Sequence, residues 1–249
     1  MNRWIDESSR VWMISPQLGR TIFYLCPLLS LLLLGTYFID ERIVAQLGRE
    51  DSVVEWVTFI CFLAGGIAAG LCARFFFRSK QRLYGVVFLM VCLMAIFIAG
   101  EEISWGQRIF GWQTPEALAE LNRQGETNLH NTPFSPFEYA PHLASAYGML
   151  AYALTRLIPF LRKFAGKVEF LIPPFFLASV FLVPCVWLFA RATNIVQFTI
   201  FTSRYNEWGE LYLSAGFLFF IVLVRRRLIQ PAHPKSIPET QLSVALKSS

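Results

Sequence analysis

Long uninterrupted runs of apolar residues constrain this chain more than any other feature. Each run has about 17 to 21 residues, the length that an α-helix needs to cross the hydrocarbon core of a bilayer. The apolar residues come in blocks, do not alternate with polar ones, and make up 55% of the 249 residues. The sequence therefore predicts an all-α fold, a polytopic transmembrane helix bundle. Six spans are predicted, over residues 21–39, 53–73, 83–100, 142–161, 170–190 and 208–224.

The length leaves room for one transmembrane helical domain, residues 1–230, with an outer loop at 101–141. We expect the polar tail, 231–249, to be disordered and cytoplasmic. No small-residue cleavage site follows the first apolar run, which we interpret as a retained span and not a signal peptide. All five cysteines fall inside apolar runs, so they are interpreted as small core side chains and not as a disulfide framework or a metal site.

The ends of the predicted spans fall into two sets with different contents of basic residues. The richer set comprises Arg3, Arg10, Arg20, Arg74, Arg78, Lys80, Arg82, Arg162, Lys163, Lys167, Arg225, Arg226 and Arg227. The poorer set comprises Arg42, Arg49, Arg108, Arg123, Arg191 and Arg204. The positive-inside rule places the richer set in the cytoplasm, so both termini are expected inside. The net charge of +5 then indicates topology, and nucleic acid is not expected as a partner.

Acidic, amide and histidine side chains concentrate at the opposite, outer ends of the spans. A carboxylate at a membrane edge is costly unless it is paired, protonated or bound to a cation, so this concentration predicts a functional site. The candidate catalytic residues are Glu101, Glu102 and His130. The candidate substrate-binding residues are Glu55, Trp105, Arg108, Asn128, Arg191, Arg204, Asn206, Glu207 and Glu210.

Spacing adds detail at the third span and at two others. If the third helix continues past Gly100, then Glu101, Trp105 and Arg108 share one face, and Glu101 with Arg108 is equally well interpreted as a structural ion pair. The stretches "DSVVEWVTF" and "RYNEWGELY" both enter the membrane with Glu-Trp. Tryptophans near span ends also belong to the ordinary interfacial belt. Gly66 and Gly70 form a GxxxG pattern that predicts close helix packing.

The outer loop has a predictable layout. Thr114 and Pro115 favour the start of a short surface helix, which Gly125 would end. The stretch 126–131 is too polar for lipid and too long for a simple connector. We therefore expect it to fold back over the outer mouth of the bundle and to bring Asn128 or His130 close to Glu101.

Two resemblances begin at Glu101-Glu102. The string "EEISWGQRIFG", followed by "QGETNLHN" and preceded by "EW" in the second span, resembles a family of bacterial multi-pass inner-membrane proteins to which no activity is assigned. This resemblance implies the bacterial inner membrane. A Glu-Glu pair followed by an arginine is also similar to the first motif of CAAX-type intramembrane proteases. That similarity implies that Glu101 or Glu102 activates water, although Arg108 is spaced differently, His130 lies in a loop and His142 lies at a span edge.

Three functions are compatible with these residues. The first is a hydrolase acting on a membrane-embedded or lipid-linked substrate, in which a carboxylate acts as base, with or without a divalent cation. The second is a non-catalytic scaffold or assembly protein, which contacts a membrane partner protein and whose polar cluster is structural. The third, transport coupled to a cation or proton, requires polar residues along the whole membrane path, and the inner halves of the spans are nearly free of ionisable groups.

Overall fold

The structure is a computed structural model that describes residues 1–39, 52–122, 125–129, 132, 140–192 and 199–230. Every regular element in this part is helical, which confirms the predicted all-α fold there. The α-helices are α1 Asn2–Val11, α2 Pro16–Ile39, α3 Val53–Arg78, α4 Arg82–Glu102, α5 Gln107–Phe110, α6 Glu116–Ala119, α7 Ala140–Leu157, α8 Pro159–Ala165, α9 Ala178–Ala192 and α10 Thr199–Ile229. Short 3-10 turns cover Ser104–Gly106, Glu169–Leu171 and Phe175–Leu177. The predicted tail, 231–249, lies outside the described residues.

Five stretches of the described chain are long and apolar enough to cross a membrane. They are Pro16–Leu33, Val53–Arg78, Arg82–Glu102, Glu169–Val186 and Glu207–Ile229. They overlap five of the six predicted spans. The remaining prediction, 142–161, overlaps α7, which is helical but is not among the five. Its polar residues, such as His142 and Arg156, lower its mean hydropathy.

The structure differs from the predicted helices in three details. The helix of the third span does not extend to Trp105, because α4 ends at Glu102. In the fifth span, a 3-10 turn follows Pro174 before α9 begins. The amphipathic α1 precedes the first span and was not predicted; it buries Ile5, with two serines that bond to the carbonyl of Ile5.

The antiparallel pair of α3 and α4 is packed through small residues. A methyl group added at Gly66 would lie 3.1 Å from the Ile96 side chain and 3.3 Å from Ala95, so these neighbours would have to move by a few tenths of an ångström. A methyl group added at Gly70 would likewise lie 3.1 Å from the Cys92 side chain. The GxxxG pattern therefore marks close packing, as predicted.

The helices α3 and α10 run parallel to each other. The Phe62 and Phe217 rings are 5.9 Å apart, and a methyl group added at Gly65 would lie 2.4 Å from the Phe217 ring. Since α3 packs on both α4 and α10, the ends of these three helices lie together. This arrangement brings Glu55, Glu102 and Glu207 to one end of the bundle.

Candidate functional site

The position of Glu55 follows from how α3 begins. Ser52 is the N-cap, and its hydroxyl accepts a hydrogen bond from the Glu55 backbone N–H at 3.4 Å. Ser52 and Glu55 have the spacing of a capping box, in which a serine is followed three residues later by a glutamate. The cap places the Glu55 side chain in the first turn of the helix, at the edge of the predicted span.

The register of α3 and α10 places their two Glu-Trp pairs side by side. Gly65 contacts Phe217, and Glu55 and Glu207 each lie ten residues before these contact residues. Both helices run in the same direction, so the two glutamates are level with each other, about 15 Å above the Gly65 contact. The two Glu-Trp pairs in the sequence therefore occupy corresponding positions on neighbouring helices.

Glu102 reaches the same end from the opposite direction. In the antiparallel pair, Gly66 lies opposite Ala95. Glu102 lies seven residues after Ala95 on α4, and Phe59 lies seven residues before Gly66 on α3, so Glu102 is level with Phe59 and its neighbour Thr58. Glu210 lies seven residues before Phe217 on α10, and Thr58 lies seven residues before Gly65, so Glu210 is at the same level.

The electrostatics of Glu102 agree with this register. Its half-buried carboxyl group interacts with the charges of Glu210, Glu207, Glu55 and Glu101, of which Glu210 is the strongest. We refer to Glu55, Glu102, Glu207 and Glu210 as the carboxylate cluster. Carboxylates this close together lower their free energy by sharing a proton, pairing with a base or binding a cation.

Glu101 has a different environment from its neighbour Glu102. Only 5% of it is exposed. One carboxylate oxygen accepts a hydrogen bond from the Trp105 indole N–H at 2.6 Å, and the other accepts one from the Leu129 backbone N–H at 2.5 Å. Since consecutive helical side chains point about 100° apart, one glutamate faces the outer loop and the other faces the cluster. Glu101 therefore attaches the loop to the end of α4.

A second set of hydrogen bonds fixes the same part of the loop. The Ser104 hydroxyl donates to Glu126 at 2.7 Å, and the Asn128 amide donates to Ser104 at 3.0 Å and to Glu126 at 2.9 Å. The Asn122 amide donates to the Asn128 carbonyl and side-chain oxygens, both at 2.8 Å. Asn128 is 2% exposed, so these bonds replace those that water would make. We refer to the bonds of Glu101, Ser104, Asn122, Glu126 and Asn128 as the loop network.

Further along the loop, the predicted helix start is only partly present. The helix α6 has four residues, Glu116–Ala119, and Pro115 occupies its N-cap. Thr114 does not cap it, because its hydroxyl bonds the Gly125 carbonyl at 2.8 Å and accepts from Gln107 at 2.9 Å. Thr114 closes the loop on itself, and the helix stays short.

Three consecutive left-handed residues connect α4 to α5. Ser104, Trp105 and Gly106 have φ values of 47°, 55° and 80°. Only glycine adopts this region without cost, and each of the other two residues costs about 1 kcal/mol or more. The bonds of Ser104 to the loop network and of Trp105 to Glu101 hold these conformations in place. The predicted helical spacing of Glu101 and Trp105 is wrong, yet the turn still brings them into contact.

Several predicted site residues lie outside the described part of the structure. His130 is among them, so its predicted approach to Glu101 stays a prediction, while the loop beside it does fold back to Glu101. Four other residues belong to helices, but their side chains lie outside the described part: Arg108, Arg191, Arg204 and Asn206. Glu55, Glu207 and Glu210 each take part in polar or electrostatic interactions besides the one with Glu102.

Thr58 and Trp208 were not among the predicted site residues. Thr58 is 1% exposed, and within the described chain neither its hydroxyl nor the buried Trp208 indole N–H has a hydrogen-bond partner. The sequence did carry a signal, since Thr58 follows Glu55 by three residues and shares its helix face. Thr58 is the single threonine of an otherwise mostly apolar helix, and its burial is known only from the folded structure.

Two further observations bear on identity and chemistry. Among the described residues, no three His, Cys, Asp or Glu side chains are arranged so that they could hold a metal ion. The chain matches no known protein family, no characterised protein and no solved structure. The function must therefore be argued from the site itself.

Proposed function

We propose that this protein is a multi-pass protein of the bacterial inner membrane with six spans and both termini in the cytoplasm. The five long apolar helices and the clustering of Lys and Arg at one set of span ends support this topology. In this arrangement α7 is the remaining span, because it packs against α9 within the bundle. Reporter fusions at Ser249 and Gly125 test the proposal; a cytoplasmic signal at Gly125 contradicts it.

We further propose that the protein is a hydrolase that acts on a lipid-linked or membrane-embedded substrate. The observation that carries this proposal is the division of roles between Glu101 and Glu102. Glu101 is occupied by two hydrogen bonds from the loop side, whereas Glu102 belongs to the carboxylate cluster between three helices. Glu102 is therefore the catalytic candidate, and Glu101 becomes a positioning residue.

In the proposed reaction, the Glu102 carboxylate takes a proton from a water molecule as that water attacks the electrophilic carbon or phosphorus of the substrate. The bond to the leaving group breaks, and the leaving group takes the proton back from Glu102. The surrounding carboxylates bind donor groups of the substrate, and the loop network limits the entry of bulk water.

The experiment compares lipid extracts, by mass spectrometry, from cells that produce the wild type or Glu102→Gln. Loss of a general base lowers a rate by about 10²- to 10⁴-fold, so a lipid altered by the wild type should remain unaltered with the variant. Purification and a thermal melt establish that Glu102→Gln is folded. A folded variant with the same lipid profile as the wild type contradicts the hydrolase proposal.

The loop network favours a second candidate function, a non-catalytic scaffold. The buried Glu101 carboxylate accepts two hydrogen bonds and connects the outer loop to α4, as expected for a structural role. On this alternative, Glu101→Gln lowers folded yield, and Glu102→Gln leaves every lipid unchanged. Transport coupled to a cation or proton is not proposed, because Phe62, Ala69 and Phe76 make the buried face of α3 apolar below the cluster.

A further inference from the structure

Thr58 extends the carboxylate cluster deeper into the bundle. It lies one turn below Glu55 on the same face of α3, at the level of Glu102 and Glu210. Helical side chains point toward the N-terminus of their helix, so the Thr58 hydroxyl is directed toward the Glu55 end. It is 1% exposed and has no hydrogen-bond partner among the described residues, although a helical threonine can usually bond a carbonyl one turn back. A buried hydroxyl left in this condition indicates a missing partner.

A partner with hydrogen-bond donors and positive charge fits this end of the bundle. Thirteen of the 17 Asp and Glu residues, but only six of the 22 Lys and Arg residues, lie in the segments that flank this end, 40–55, 101–138 and 191–210. A primary ammonium group has three N–H donors, which match oxygen acceptors on α3, α4 and α10. A quaternary ammonium group has no N–H and leaves Thr58 without a donor.

The surroundings indicate where such a group would come from. Val53, Val57 and Ile60 follow one another at helical spacing on the outer face of α3, and they are 77%, 38% and 55% exposed. In a membrane this face contacts acyl chains at the depth of the cluster. The Trp208 indole N–H, which likewise has no partner in the described part of the chain, can donate to an acceptor such as a phosphate oxygen.

We propose that the carboxylate cluster and Thr58 bind the primary ammonium group of an aminophospholipid headgroup. The inference rests on the proposed function and specifies its substrate class: a lipid with an ethanolamine-type headgroup. The ammonium group donates to Glu102, Glu210 and Thr58, and the phosphate lies toward Trp208. Hydrolysis would then occur at a bond near this headgroup.

The test measures melting temperatures of the full chain in nanodiscs of phosphatidylethanolamine or phosphatidylcholine with identical acyl chains. We expect the wild type to melt roughly 5 °C higher with the ethanolamine lipid, as a saturating ligand would cause. The difference should disappear in Thr58→Val and Glu102→Gln and persist in Thr58→Ser. Ser179→Ala is the matched control and should keep the difference, because it too removes a buried hydroxyl that bonds to no described residue.

Equal melting of the wild type in the two lipids overturns the inference. So does a difference that persists in Thr58→Val, because it then comes from the bilayer and not from the site. A second experiment adds phosphoethanolamine or phosphocholine to the protein in detergent and measures the melting temperature. If phosphoethanolamine alone raises the melting temperature, the ammonium site binds a soluble ligand, and the lipid assignment is overturned. If the wild type melts higher in the ethanolamine lipid but Glu102→Gln leaves the lipid profile of the cells unchanged, only the hydrolase proposal is refuted. If Glu102→Gln changes the lipid profile but the wild type melts equally in the two lipids, only this inference is refuted.

Discussion

The two ends of the bundle carry opposite charges, and the charged side chains have different environments at each end. At the basic end, acidic residues pair singly with arginines near the surface: Asp6 with Arg20, Glu7 with Arg156, and Glu169 with Arg227 at 2.6 Å. In each pair at least one side chain is about 40% exposed or more. At the acidic end, carboxylates of three helices face one another, and Glu101 is buried with two hydrogen bonds.

The difference shows that charge alone does not identify a site. The basic end is explained by membrane topology and by exposed ion pairs, which contribute about 0 to 1 kcal/mol each. The acidic end contains buried polar groups, each of which costs about 1 to 3 kcal/mol if it loses its partner. Mutations that remove one charge should therefore have unequal effects at the two ends.

Replacing Glu101 should have the largest effect. Glu101→Ala leaves the Trp105 and Leu129 N–H groups without an acceptor, so we expect a loss of about 3 kcal/mol in unfolding free energy. It should also release the loop, seen as faster proteolysis between residues 111 and 129. The neighbouring Glu102→Gln is the control and should change neither quantity by as much. Equal effects of the two variants would contradict the division of roles between these glutamates.

The contact between α3 and α10 sets the spacing of the cluster. Gly65→Ala places a methyl group 2.4 Å from the Phe217 ring, so the ring or the two helices must shift, at a cost of about 2 kcal/mol. The control is Gly35→Ala, where the added methyl group meets no atom of the described chain within 4 Å and should stabilise its helix by up to about 1 kcal/mol. Denaturation experiments on both variants measure whether Gly65→Ala is less stable than Gly35→Ala. If Gly65→Ala is as stable as Gly35→Ala, the close approach is not required.

Asn128 tests the loop network separately from Glu101. Asn128→Ala removes the amide that bonds Ser104 and Glu126, and a loss of about 1.5 kcal/mol is expected. Thr132→Ala removes one bond, to the Leu129 carbonyl, from an exposed part of the loop and should cost well under 1 kcal/mol. Thermal melts of the two variants provide the comparison. A neutral Asn128→Ala would mean that the network does not hold the loop.

The smallest effect is expected at the basic end. Glu7→Gln breaks the ion pair with Arg156, whose side chain is 38% exposed, so the loss should be below about 1 kcal/mol. It should diminish further between 0.1 and 1 M salt, as the Debye length falls from about 10 to 3 Å. The loss caused by Glu101→Ala should not depend on salt in this way. A larger, salt-independent effect of Glu7→Gln would remove the contrast between the two ends.

Much of the architecture could be predicted because it depends on local patterns. Apolar length predicts helices that can cross a membrane, and polar residues at one set of span ends predict where carboxylates meet. The polarity of the outer loop predicted that it folds back, and the structure shows Leu129 bonded to Glu101. Each of these features can be detected within about 20 residues of sequence.

The separate roles of Glu101 and Glu102 were decided only by the tertiary structure. The two residues are adjacent and chemically identical, so no sequence pattern distinguishes them. Glu101 receives its donor from a residue 28 positions away, across a left-handed turn that no helical periodicity predicts. The isolation of Thr58 likewise depends on α3, α4 and α10 packing together. Sequence alone determined that this chain forms apolar helices with a carboxylate-rich end; long-range contacts decided that Glu101 is bonded to the outer loop and that Glu102 interacts with the carboxylates of α3 and α10.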